Sequence, residues 1–97
     1  MELKMNMRIR SRKVNMALDD IKIPMRMAMT PPKPDRQIRH AERYFLSGGK
    51  DYDPIIIDEN NTLLDGYTTY LIFEQQGIRR VTAYKIGVRF KVQDGRM

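Results

Sequence analysis

The stretch TLLDGYTTYLIFEQQGI, Thr62 to Ile78, constrains the fold more than any other part of the chain. Leu63 and Leu64 read as a short strand, and Asp65-Gly66 then turns the chain into a helical pattern that stops at Gly77. Tyr67, Tyr70, Leu71, Ile72 and Phe73 cover most of that helix's circumference, so it is expected to be largely buried and central to the fold. A helix entered in this way gathers unpaired N–H groups and the positive end of its dipole at one spot. Two uses of that spot stay open. Asp65 can cap the helix by accepting from the N–H of Tyr67 or Thr68. Alternatively, Gly66 lets an anion approach the backbone, and the hydroxyls of Thr68 and Thr69 add hydrogen bonds to phosphate oxygens. The charge of Asp65 opposes a phosphate unless a cation compensates it.

The rest of the chain must build one core around this unit. With 97 residues, 41% of them apolar, there is material for a single domain and not for a second. The absence of cysteine removes disulfides, thiolate metal sites and cysteine nucleophiles, and a single histidine leaves no metal cluster by the usual ligand rules. No apolar run approaches the roughly 20 residues that span a bilayer. MELKMNMRIRSRK, at the start, lacks the apolar core of a signal peptide. A cytoplasmic protein with no membrane association is therefore expected.

Leu3, Met5, Met7 and Ile9 alternate with Lys4, Asn6 and Arg8, the period of a half-buried strand. Arg8 to Lys13 reads as a basic turn or arm, and Val14, Met16 and Leu18 resume the alternation in a second strand. Pro31, Pro32 and Pro34 make residues 21–34 an extended connector without regular structure. From Asp35 to Ser47 the spacing predicts a helix with Ile38, Ala41 and Phe45 inward and Arg36, Arg39, His40 and Arg43 outward, stopped by Gly48 and Gly49. DPIIID, Asp53 to Asp58, reads as a strand covered on both faces, ENN as a turn, and TLLD as the next strand. Val81 to Ile86 reads as another strand, and Val88 to Val92 as an edge strand with apolar and basic residues alternating. The expected organisation is a basic strand or arm over residues 1–13, one domain over 14–92, and a frayed tail over 93–97. The fold class is α/β in the α+β sense, a small mixed sheet with two main helices.

Charge is unevenly placed. Residues 1–46 carry eleven Lys and Arg against five acids, and residues 47–97 carry seven of each, so the whole excess of +6 lies in the first half. A basic half beside a neutral one points to a polyanion partner such as DNA, met by Arg8, Arg10, Arg12 and Lys13 and by the helix face Arg36, Arg39, His40 and Arg43.

The order IKIP, helix, glycine turn, DPIIID, TLLDGYTTYLIFEQQGI, VTAYKI resembles the N-terminal domain of ParB partition proteins, a fold shared with sulfiredoxin and with free-serine kinases. The resemblance spans roughly Val14 to Ile86. It implies a nucleotide pocket with phosphates at the turn after Leu64 and with the stretch Gly48 to Ile55 on the base and ribose side. The match to the family's motif is incomplete. Tyr67, Thr68 and Thr69 stand where ParB-like proteins have an acidic residue and two arginines, and Tyr67 falls where sulfiredoxin has its nucleophilic cysteine. Three readings follow. One is a stand-alone ParB-like domain associated with nucleic acid, with no catalytic residues. Another is a nucleotide-binding domain with weak hydrolase or kinase-like activity, for CTP or ATP with magnesium, using Asp65, Gly66, Tyr67, Thr68 and Thr69 at the phosphates and Asp53 or Asp65 at the metal. The third is an interaction scaffold, a homodimer included, encoded on or beside a mobile element, with Met25, Met27 and Met29 as adaptable contacts.

Overall fold

Ile55, Ile57 and Leu63 have no exposed surface, and they mark the centre of the molecule. The computed structural model describes the backbone of residues 3–94 and the side chains of residues 11–87. In chain order the elements are β1 (Leu3–Ala17), a 3-10 turn (Leu18–Asp20), α1 (Met25–Ala28), α2 (Pro34–Leu46), β2 (Ile55–Ile57), β3 (Leu63–Asp65), α3 (Tyr67–Gln75) and β4 (Arg80–Asp94). The strands form one mixed sheet in the order β1-β4-β2-β3. Strand β4 lies antiparallel to β1 and parallel to β2, and β2 lies antiparallel to β3. This is the small α+β domain that the sequence predicts.

The β-branched run of β2 alternates buried, half-buried, buried, so Ile55 and Ile57 face the helices and Ile56 faces the open side. Val81 and Ala83 of β4, Leu18 and Ile21 after β1, and Tyr70, Ile72 and Phe73 of α3 complete the core. Burial of each large apolar side chain contributes roughly 1.5–3 kcal/mol, so these contacts outweigh any single polar interaction in the domain. The connector after β1 is pinned to the outer edge of β3: Lys22 donates its N–H to Asn61 and accepts from the N–H of Leu63, both at 2.8 Å.

Four local expectations are corrected. No turn separates two strands at Arg8 to Lys13, because every residue from Leu3 to Ala17 has a register partner in β4. Likewise Val81 to Ile86 and Val88 to Val92 are parts of one strand, and the second of them pairs with β1 alone. Of the expected tail, Gln93 and Asp94 belong to β4, and residues 95–97 lie outside the described residues. The connector contains one helical turn, α1, with Pro24 as its N-cap, and Pro34 opens α2 at its first position. Proline excludes a helix interior but suits a helix start, where its missing N–H costs nothing.

Beyond Lys85 the sheet narrows to a two-stranded ribbon of β1 and β4. At about 3.4 Å per residue this ribbon reaches some 30 Å, consistent with a molecule 58 Å long and 26 by 22 Å across. Val14 and Met16 of β1 pack against the core.

Gly66 is the residue on which the corner between β3 and α3 turns. Its φ is +92°, and a Cβ there would run into the carbonyl oxygen of Pro54 and lie 2.9 Å from Ile55 Cα. Gly66→Ala is therefore expected to lose about 2–4 kcal/mol of unfolding free energy, from backbone strain plus overpacking. Gly48→Ala tests the first term alone, since Gly48 has φ +68° and open space around it. Guanidinium unfolding of both variants checks the difference; equal losses would show that the Pro54 contact is unimportant.

Candidate functional site

The N-terminus of α3 opens into a cleft of about 210 Å³. All six residues that the sequence assigns to a phosphate or nucleotide site, Asp53, Asp65, Gly66, Tyr67, Thr68 and Thr69, line it. The capping scheme differs from the expectation. Gly66 occupies the N-cap position and no side chain caps the helix; Asp65 lies one residue too early and accepts from the N–H of Gly66 at 2.8 Å. The first intrahelical bond runs from Tyr70 N–H to the Gly66 carbonyl at 3.0 Å. The two threonines have different environments. Thr69, 1% exposed, donates its hydroxyl to the Asp53 carbonyl at 2.7 Å and so ties α3 to the residue before Pro54. Thr68, 6% exposed, has no hydrogen-bond partner in the protein for its hydroxyl among the described contacts.

Glycine at position 66 serves packing rather than ligand approach, since the space beyond its Cα is filled by Pro54 and Ile55. Of the stretch Gly48 to Ile55, Asp53 is the residue that lines the cleft. Met27, Thr30 and Pro32 close the cleft from the connector, and Arg36 reaches it from the first turn of α2. The sequence places Arg36 on an outward face and gives the connector no part in the site. Nothing local signals these placements, because they depend on how the connector crosses α3.

The expected basic face of α2 is divided. Arg39 is exposed, but His40 and Arg43 turn toward the domain. Arg43 donates from Nη2 to Asp53 Oδ1 at 2.6 Å, and its Nε lies 3.4 Å from Asp51. His40 Nδ1 stands 3.7 Å from Asp53 Oδ2. The hydrogen bond from Arg43 holds the Asp53 carboxyl below its usual range, and the same bond raises Arg43 above its ordinary value. With its carboxylate engaged on α2, Asp53 is poorly placed to hold a magnesium ion. Tyr44 rather than Phe45 enters the core side, edge-on to Phe73 at 5.6 Å and to Tyr52 at 6.1 Å between ring centroids. Ile38, Phe45 and Leu46 are 54–88% exposed, as are Met25 and Met29, each above 70%, on α1 and just after it.

The remaining candidate cations lie on β1. The side chains of Arg8 and Arg10 lie outside the described residues. Lys13 Nζ lies 5.9 Å from the Tyr84 ring centre. Both oxygens of Glu59 meet the Arg12 guanidinium at 3.4 Å. Among the described residues no group of three His, Cys, Asp or Glu side chains could hold a metal ion. No helix among them is long and apolar enough to cross a membrane.

Two solved structures of a pNOB8-like ParB N-domain share this fold. One aligns with a TM-score of 0.67 and the other with 0.66, each at 20% identity over 82% of this chain. The chain spans only 31% and 29% of their lengths. No protein-family model matches the sequence. No curated protein matches it either. The fold is thus that of a ParB N-domain, as the order of motifs implied.

Because the Asp53 carboxyl is held low, its contribution to stability is complete above the unfolded value of about 3.9 and is lost as pH falls through the lower native value. Asp53→Asn is expected to be less stable than the parent at pH 7, with the gap closing in acid below that value. Urea unfolding across this range checks it. A gap of constant size would mean that Arg43 contributes by packing alone.

Proposed function

We propose that this chain is a nucleic-acid-associated ParB-like domain that binds through phosphate neutralisation and carries no catalytic machinery. One observation supports this above the others. The paired strands β1 and β4 hold nine of the eighteen Lys and Arg and one of the twelve acids. The remainder of the chain has nine cations against eleven acids. The excess charge is therefore concentrated on the two paired strands, which supports a polyanion site. The turn after β3, by contrast, offers two buried threonines and a tyrosine of its own, with Arg36 of α2 as the guanidinium lining its cleft, against two carboxylates.

Titration of duplex and single-stranded DNA at low and moderate salt tests the reading. Nonspecific affinity with a dissociation constant of roughly 10⁻⁴–10⁻⁶ M near physiological salt is expected, weakening linearly on a log–log plot as salt rises. Absence of binding at low salt would end it.

A second reading draws support from the cleft. Arg36 brings a guanidinium to the uncapped end of α3, where Thr68 has a free hydroxyl, so a nucleotide phosphate would find one cation and several donors there. Two carboxylates, Asp53 and Asp65, oppose it. Calorimetry with CTP, ATP and ADP plus magnesium decides: on this reading one nucleotide gives heat that Arg36→Ala abolishes, and no heat from any of the three rejects it.

A further inference from the structure

We propose that the bare face of the sheet binds single-stranded DNA, with bases stacked on Tyr84 and Tyr52 and phosphates held by Lys13 and Arg80. This rests on the nucleic-acid reading above and names the surface and the form of the partner.

The helices cover one face of the sheet and leave the other open. Antiparallel partners share a face, as do alternate residues of one strand. Val14 and Met16, with their partners Ala83 and Val81, belong to the core face. Lys13, Asn15 and Ala17, with their partners Tyr84, Thr82 and Arg80, therefore belong to the open one. Ile56 is the partner of Tyr84 on its other side, so Lys13, Tyr84 and Ile56 form a row across three strands. A four-stranded sheet with one bare face and aromatic side chains on it is a geometry that takes up unpaired bases.

Where the segment before β2 meets β4, this face holds a cavity of about 460 Å³ lined by Lys13, Tyr52, Pro54, Thr82 and Tyr84. It has more than twice the volume of the cleft at α3 and falls in the ~300–1,000 Å³ range of ligand pockets. Its charge is also the better match. The α3 cleft sets one guanidinium against two carboxylates, whereas the sheet cavity has an ammonium and, among the described residues, no carboxylate. Acids close by in the chain are engaged elsewhere. Asp51 and Asp53, on either side of Tyr52, are ion-paired with Arg43. Asp58, two residues past Ile56, accepts from the N–H groups of Asn60 and Thr62 at 2.8 and 2.9 Å.

The rings are held in place, which lowers the entropy lost on stacking. Tyr52 stands edge-on to Phe73 at 5.2 Å and to Tyr44 at 6.1 Å. Tyr84 is half-buried between its two partner strands, with Lys13 Nζ over its ring at 5.9 Å. That is close to the ~6 Å limit of a cation–π contact, so the exposed lysine leaves the ring for a phosphate at little cost. Arg80 lies two residues beyond Thr82, roughly 6.8 Å along β4, held at 2.8 Å by the neutral amide of Asn15 with its charge intact. A duplex keeps its base faces stacked inside, out of reach of the tyrosines. DNA is favoured over RNA because Pro54 and the Thr82 methyl offer apolar surface to a deoxyribose, while the Asn15 Oδ1, suited to a 2′-hydroxyl, is taken by Arg80.

The test uses the full chain and a labelled strand of about 16 nucleotides, with its duplex and its RNA counterpart as the other arms, read by anisotropy. The DNA strand is expected to bind more tightly than either. Tyr84→Leu is expected to weaken strand binding roughly 5- to 150-fold and so to erase the preference over duplex. Lys13→Gln is expected to reduce the salt slope for the strand by about 0.7. Tyr84→Trp keeps a stacking ring and places the sole tryptophan of the chain at this position, so its emission is expected to be quenched as the strand binds. Duplex or RNA binding as tightly as the DNA strand, unchanged strand affinity in Tyr84→Leu, or unquenched emission from Tyr84→Trp with the strand bound would each overturn the proposal and leave the nucleic-acid reading standing. Failure of the parent to bind any DNA would remove both.

Discussion

The close approach of Gly66 to the Pro54–Ile55 backbone is the contact from which the arrangement of the domain follows. It brings the start of α3 against β2, and from that position Thr69 can reach the Asp53 carbonyl. The same placement leaves the Asp53 carboxylate facing α2, where Arg43 takes it. One missing Cβ thus coordinates β2, α3 and α2. The apolar contacts of Ile55, Ile57, Leu63 and Phe73 supply most of the stabilisation, while the half-exposed ion pair chiefly orients α2. The corner that looked like an opening for a ligand is closed by the protein's own backbone. What remains open is the space in front of the uncapped N–H groups, bounded by the connector.

Much of the domain was legible because its signals were short in range. DPIIID is a β-branched run bounded by turn residues, and TLLDGYTTYLIFEQQGI contains strand, corner, helix and stop in consecutive residues; both read correctly as elements. The errors on α2 depended on partners distant in the chain. Helical spacing with Ile38 and Ala41 put Phe45 inward, but Tyr44, the residue before it, takes the core side. The helix is rotated because His40 and Arg43 find Asp53, ten residues beyond Arg43, and that rotation carries Tyr44 inward. Arg36 joins the cleft for the same reason.

The continuous strand β1 was illegible for another reason. Leu3, Met5, Met7 and Ile9 are odd-numbered, whereas Val14 and Met16 are even-numbered, so one strand carrying both sets must turn its apolar residues to opposite sides. A turn in RIRSRK was the economical explanation of that change of phase. The structure keeps one strand, every residue of which from Leu3 to Ala17 has a register partner on β4. The phase change falls where β2 ceases to pair with β4, after Lys85, the partner of Arg12.

That boundary also decides how the charge acts. The part of the chain outside β1 and β4 carries two more acids than bases, so by itself it would be weakly repelled from a polyanion. Strands β1 and β4 together carry an excess of eight, of which the two-stranded part beyond Lys85 holds four. If both sat within one compact surface the two would partly cancel at a ligand, but the ribbon extends about 30 Å and the Debye length at physiological ionic strength is about 8 Å. Charges on the domain are screened from most of the ribbon, and a ligand along the ribbon meets nearly the whole of its local excess. A net charge of +6 therefore understates the local charge of these two strands, and the chain has a marked charge asymmetry.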